Sequence, residues 1–216
     1  MSGTWVVIPA KDFARAKLRL RERLDDGARV RLAEEMLRGV VMAARGTPSV
    51  QRVLVVTDSD QVASLASDLG AGVVRDAGSG PALAVGLGLE AAAAGGARAA
   101  VVLLSDLPRV GPADVEAVVE ALEDRSCVVA PDRAGHGLNA LGLAPPKAML
   151  PPLGSGRALR EHVQLAAGLG LRLARVERPG LAFDVDDVDD LDALYALERQ
   201  ECQTPRVARR RRFAGR

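Results

Sequence analysis

Short β-branched and aliphatic runs alternate with segments of helical periodicity along nearly the whole chain. This alternation restricts the fold more than any other feature, because it is the pattern of a sheet covered by helices on both faces. Strands are expected near residues 5–8, 52–57, 72–75, 100–104 and 127–130, and helices over 28–44, 60–69, 81–94 and 112–123. The stretch "DSDQVASLASDLG" carries its own punctuation, with Asp58 or Ser59 as an N-cap and Gly70 just past the helix end. "LNALGLAPP" and "LRLARVERPG" read as two further strands separated by a helix near 156–168, and a last helix near 187–199 follows "FDVD". There is no internal repeat.

A chain of 216 residues can bury a substantial core as one domain. Only 2% of it is aromatic, so that core is built from Val, Leu, Ala and Ile, and stacking platforms for nucleic acid are excluded. The net charge of +1 hides an asymmetry, since residues 202–216 hold six Arg and no acid, leaving 23 basic against 28 acidic residues before them. We expect a folded domain over residues 1–200 and a basic tail, 201–216, whose turn residues and charge favour disorder. Cys127 and Cys202 offer neither a disulfide framework nor thiolate zinc spacing, which fits a reducing cytoplasm. No apolar stretch approaches the roughly 20 residues that span a bilayer, and no signal-peptide pattern opens the chain.

The chemistry-bearing residues follow the strand ends. In "TWVVIPAKDFARAKLRL" the run Val6, Val7, Ile8 stops at Pro9 and releases Lys11, Arg15, Lys17 and Arg19. Ligands of open α/β sheets sit beyond the carboxyl ends of the strands, so these cations stand where a phosphorylated ligand would be met; a solvated basic loop is the other reading. Asp106 follows the apolar run 100–104 with only Ser105 between, where it either faces the crevice or opens a turn before Leu-Pro. "FDVDDVDD" adds Asp184 and Asp186 at strand spacing, with Asp187 or Asp189 free to cap the next helix. Hard oxygen ligands from separate strand ends are what Mg2+ takes when it carries nucleotide phosphates. Gly78, Ser79 and Gly80 precede Pro81, a first-turn residue, so backbone donors at that helix start could approach a nucleotide; alone, such a loop is a turn. Neither a GxGxxG fingerprint nor a Walker pattern is present. His136, between Gly135 and Gly137, has no neighbouring His or Cys to share a metal and reads as solvated or substrate-facing.

Taken in order, "IPAKDFARAKLRL", "GSGPALAVGL", "SDLP", "APDRAGHGLNALGL", "LGSGRALREH" and "FDVDDVDDL" resemble the guanylyltransferases that activate a small phosphorylated acid for coenzyme F-420 assembly. The resemblance spans about residues 4–195. It implies a single-domain, GT-A-like nucleotidyltransferase fold, a three-layer α/β sandwich with a central mixed, mostly parallel sheet. It further implies transfer of GMP from GTP to phosphoenolpyruvate, 2-phospholactate or 3-phosphoglycerate, release of pyrophosphate, and a downstream transferase as consumer of the product. By the same resemblance Asp106 and Asp184 fall on the two magnesium carboxylates, Lys17 on a basic residue near the triphosphate, and Gly154 on a glycine of the acid-binding loop.

Two positions depart from the family pattern. Leu138, before Asn139 in "GLNAL", replaces a threonine that would touch the acid, and Arg157 stands in the position of a substrate-contacting serine. A guanidinium binds carboxylate or phosphate in a bidentate way, which shifts the expected acid toward a more polar one such as 3-phosphoglycerate. In the expected reaction the acid's phosphate attacks the α-phosphorus of GTP in line, with no protein nucleophile, while Lys11, Arg15 and Lys17 offset charge on the departing pyrophosphate. The rival readings are a sugar-phosphate or molybdopterin nucleotidyltransferase, a nucleic-acid module driven by the tail, and a non-catalytic nucleotide binder.

Overall fold

In the first strand, β1 (Thr4–Pro9), side chains alternate between two cores: Val6 and Ile8 face one, Trp5 and Val7 the other. The same alternation divides Val53 and Val55 from Leu54 and Val56 in β2 (Val50–Thr57), and Val101 and Leu103 from Ala100 and Val102 in β4 (Ala99–Leu103). Period-2 burial on both faces is what a central sheet between helix layers requires. The computed structural model describes residues 3–78, 80–152 and 157–203.

With β3 (Gly72–Arg75), β5 (Ser126–Pro131), β6 (Leu138–Ala144) and β7 (Arg172–Arg175), these strands form one seven-stranded sheet in the order β3-β2-β1-β4-β6-β5-β7. Within it β6 is antiparallel to both β4 and β5, and every other pairing is parallel. On one face α1 (Asp26–Arg45), α2 (Asp60–Asp68) and α4 (Pro112–Glu120) bury residues such as Val40, Val62 and Val115. On the other lie α3 (Pro81–Ala94), through Val85 and Leu89, and α5 (Ala158–Gly168), through Ala166. Each fully buried aliphatic side chain contributes about 1.5–3 kcal/mol, so these two cores carry the fold in place of the missing aromatics. A third cluster seats Leu191 and Leu194 of the last helix, α7 (Val188–Gln203), against Leu20 and Met36.

The chain runs from β1 outward to β2 and β3 and then crosses back to β4 on the other side of β1. The strand order therefore reverses between β1 and β4, and a crevice opens beyond their carboxyl ends.

The structure corrects the sequence reading in three places. Only Arg172–Arg175 of "LRLARVERPG" is strand; the segment then turns into a short helix, α6 (Pro179–Ala182), whose first residue is a proline already set at the helical φ. "FDVD" is not a strand, because the backbone N–H groups of Asp186 and Asp187 go to the Asp190 carboxylate instead of a ladder. The segment after β1 is wound into two 3-10 turns, Phe13–Arg15 and Leu18–Glu22.

Candidate active site

The loop leaving β1 is fixed before any ligand enters. Asp12 caps its first turn by accepting from the Ala14 N–H at 2.9 Å, and its other oxygen accepts from the Ser59 hydroxyl at 2.7 Å. The Ser59 bond is the largest reason that the Asp12 carboxyl is held below its ordinary range. Lys17 then adopts the left-handed conformation, φ 52° and ψ 38°, which costs a side-chain-bearing residue about 1–2 kcal/mol.

That backbone turns the Lys17 side chain inward across the crevice. Its Nζ lies 2.5 Å from Asp106 Oδ2 and 3.0 Å from Asp186 Oδ1. Burial alone would make the ammonium easier to deprotonate, but Asp106 and Asp186 more than offset this and raise its pKa. Asp106 sits just beyond β4, so the cation leaving β1 and the acid leaving β4 meet across the point where strand order reverses.

Asp184 comes from the connection between α6 and α7, and a β-bulge positions its partner. Pro131 pairs with Leu138 and Ala130 with Ala140, which leaves Asn139 as an extra residue in β6. The Asn139 amide donates to the Leu181 carbonyl at 2.9 Å and to Asp184 Oδ1 at 3.2 Å. Burial, followed by repulsion from Asp106 and Asp186, pushes the Asp184 carboxyl up to about 6, although the Asn139 bond works against the shift. Asp186 is placed by a reciprocal cap at the start of α7: Asp187 accepts from the Asp190 N–H, and Asp190 accepts from the N–H groups of Asp186 and Asp187.

A cleft of about 540 Å³ opens beside these groups, with Lys11, Arg15, Lys17, Gly78, Gly80 and Asp106 all lining it. Its far wall is the start of α3. There Gly78 and Gly80 take φ of +72° and +98°, and Pro81 occupies the first helical turn. A side chain at Gly78 would lie 3.0 Å from Asp58 Oδ2, so glycine serves both the backbone conformation and the approach to Asp58. Ser79 and Gly154 fall outside the described residues.

Two expected cations are not simply solvated. Arg15 pairs with Asp58, and Lys17 with two carboxylates. The sequence reading missed Asp58 as a partner in the cleft and gave Asp186 no role of its own; what placed them there is tertiary. Leu138 lies elsewhere than the cleft lining. The bulge turns it to the α3/α5 side of the sheet, where it is 9% exposed and shares a small cavity with the fully buried His162. The His162 Nδ1 is bonded to the Ala158 carbonyl. Arg157 is exposed at the N-cap of α5. His136 is exposed, and its backbone ties the loop to its surroundings, the backbone N–H donating to Asp132 Oδ1 and the backbone carbonyl accepting from the Leu159 N–H.

The acids suit a hard divalent cation that arrives with phosphate ligands. Asp106 Oδ1 is buried with no hydrogen-bond partner, and the charges of Asp106 and Asp186 destabilise the ionised form of Asp184. Among the described residues no three His, Cys, Asp or Glu side chains form a ready-made cage. That is compatible with magnesium, which commonly binds through one or two carboxylates with phosphate oxygens and water completing the shell.

A crevice at the strand-order reversal, walled by cations, a helix start beside Gly78 and Gly80, and the acids Asp106 and Asp186, defines the chain as a nucleotidyltransferase-type α/β enzyme. Solved structures share this fold: one described as a nucleotide-diphospho-sugar transferase from Desulfovibrio desulfuricans superimposes with a TM-score of 0.76 at 16% identity, covering 92% of this chain and 89% of that one. A CMP:2-keto-3-deoxy-manno-octonic acid synthetase complexed with CTP gives 0.62 at 17% identity, covering 93% of this chain and all of that one. Residues 4–204 match the family model described as guanylyl transferase CofC like, and the chain belongs to that family of guanylyltransferases. Among its relatives, the phosphoenolpyruvate guanylyltransferase of Rubrobacter xylanophilus is 41% identical, over 85% of this chain and 89% of that protein. That of Conexibacter woesei is 40% identical, over 85% and 83%. No helix among the described residues is long and apolar enough to cross a membrane.

Proposed function

We propose that this enzyme transfers GMP from GTP to the phosphate of phosphoenolpyruvate and releases pyrophosphate. The observation that carries the reading is the convergence of Lys17, Asp106 and Asp186, with Asp184 beside them, on the cleft between β1 and β4. The relatives named above favour phosphoenolpyruvate over the 3-phosphoglycerate suggested by Leu138 and Arg157 in the sequence.

An oxygen of the acid's phosphate forms a new bond to the α-phosphorus, and the bridging bond from that phosphorus to the β-phosphate breaks. The attacking phosphate is already anionic, so the protein's work is placement and charge compensation. Lys11, Arg15 and Lys17 face the triphosphate, and the backbone at Gly78 and Gly80, at the start of α3, receives phosphate oxygens. Asp106 and Asp184 are the residues that would hold Mg2+, which supplies charge neutralisation at the reacting phosphates when bound. On the acid side we assign Asn139 and Arg157 to the contacts with phosphoenolpyruvate. The labile diphosphate product is suited to a downstream transferase in the same cytoplasm.

The test is pyrophosphate release with each of four nucleoside triphosphates against phosphoenolpyruvate, 2-phospholactate and 3-phosphoglycerate, with and without magnesium. Turnover is expected with GTP and phosphoenolpyruvate, dependent on the metal. Preference for another acid would overturn the substrate assignment, and no turnover with any pair would overturn the reaction.

A further inference from the structure

Arg29 is 1% exposed, although it lies in the first turns of α1, where the helix dipole disfavours a cation. Its guanidinium is aimed back at the loop that leaves β1. Nη1 donates to the carbonyls of Ala14, at 3.0 Å, and Ala16, while Nη2 donates to Asp26 Oδ1 at 2.8 Å. The Ala16 carbonyl belongs to the peptide unit that supplies the nitrogen of Lys17. Fixing that plane fixes the rotation from which Lys17 departs, and Lys17 holds a left-handed φ of 52° that an unrestrained loop would relax.

We propose that Arg29 is a positioning residue for the transfer reaction, holding the Ala16–Lys17 peptide so that the Lys17 ammonium faces Asp106, Asp186 and the incoming triphosphate. This rests on the guanylyl-transfer reading. Arginine suits the task because one rigid planar fork reaches two carbonyls and a carboxylate at once, whereas an ammonium on a flexible stem cannot hold that geometry. The buried position keeps water from competing for the same carbonyls. Arg29 touches the backbone of this loop and not the ligand, and its main effect on the site runs through Lys17, which separates it from a residue that merely supports the fold.

The test is a double-mutant cycle with Arg29→Lys and Lys17→Ala, reading both steady-state rates and the binding of a fluorescent GTP analogue. With Lys17 present, Arg29→Lys is expected to lower kcat/KM for GTP and weaken analogue binding by about ten- to a hundredfold, and to leave KM for phosphoenolpyruvate within about twofold. In the Lys17→Ala background the same change should cost less than about twofold, because the group it positions is gone. Equal losses in both backgrounds, or no loss in either, would overturn the proposal. Should Arg29→Lys lose its fold, Asp26→Asn, which weakens the exposed outer anchor of the guanidinium together with the 3.8 Å pair of exposed side chains between Asp26 and Arg21, is carried through the same cycle with the same two outcomes deciding. A wild-type enzyme that binds the analogue but transfers nothing would instead overturn the functional reading on which the proposal rests.

Discussion

Lys17 meets two demands that oppose each other. It must be buried to reach Asp106 and Asp186, and burial penalises its charge; the two carboxylates resolve the conflict by keeping the ammonium protonated. Asp184 is the counterpart, a carboxylate whose ionised form is opposed by burial and by its acidic neighbours without a cation bonded to it among the described residues. Such a group raises the energy of the folded chain wherever it is ionised. Asp184→Asn keeps an oxygen to accept from the Asn139 amide and removes the buried charge. It should lower kcat by about 10²- to 10³-fold and leave the thermal midpoint at or above that of the wild type. A lowered midpoint with intact turnover would make Asp184 a structural residue. Measured alongside it, Asp106→Asn should show a comparable loss of kcat, because it removes one of the two proposed metal ligands.

At the scale of elements, the site depends on how closely α3 approaches the sheet, since the start of this helix forms the far wall of the cleft. Gly88 sets that approach: a Cβ there would fall 2.2 Å from Val7 Cγ1 and 2.9 Å from Val56 Cγ2. Gly88→Ala gains helix propensity yet must push α3 away from β1 and β2. Overpacking of this kind costs about 1–3 kcal/mol, so thermal denaturation should show a lowered midpoint, and an unchanged or raised one would mean the layer is looser than described. The strands, and every helix except α6, were legible in the sequence because the core strands are short apolar runs and most of these helices carry an apolar stripe, while α3, apolar nearly all round, is marked by Gly80 and Pro81 at its start. The position of Asp106 was legible for the same reason, since only Ser105 separates it from such a run. What was not legible needs partners far away in the chain. "FDVD" has strand-like alternation, but the Asp190 carboxylate takes the backbone donors that a ladder would have used. The side of the sheet that Leu138 faces was not legible either, because the bulge at Asn139 turns it to the α5 side. Arg29 reads as an ordinary solvated arginine near a helix start, and only the fold of the 10–17 loop over α1 buries it.

Across the whole molecule, the reversal of strand order between β1 and β4 brings two sequence-distant segments to one crevice. The segment after β1 supplies cations and the segment after β4 supplies Asp106, while Asp184 and Asp186 reach the same place from the connection between α6 and α7. The tail from residue 204 onward lies outside the described residues, and the account gives it no part in the reaction. Membership of the guanylyl transferase family agrees with this arrangement. The central claim is that the bond made is between the acid's phosphate and the α-phosphorus of GTP. Following separately labelled α- and γ-phosphates of GTP through one turnover with phosphoenolpyruvate and magnesium tests it most directly. The account predicts the α label in the product that carries the acid and the γ label in pyrophosphate; γ label on the acid product, or release of GDP with inorganic phosphate, would contradict it.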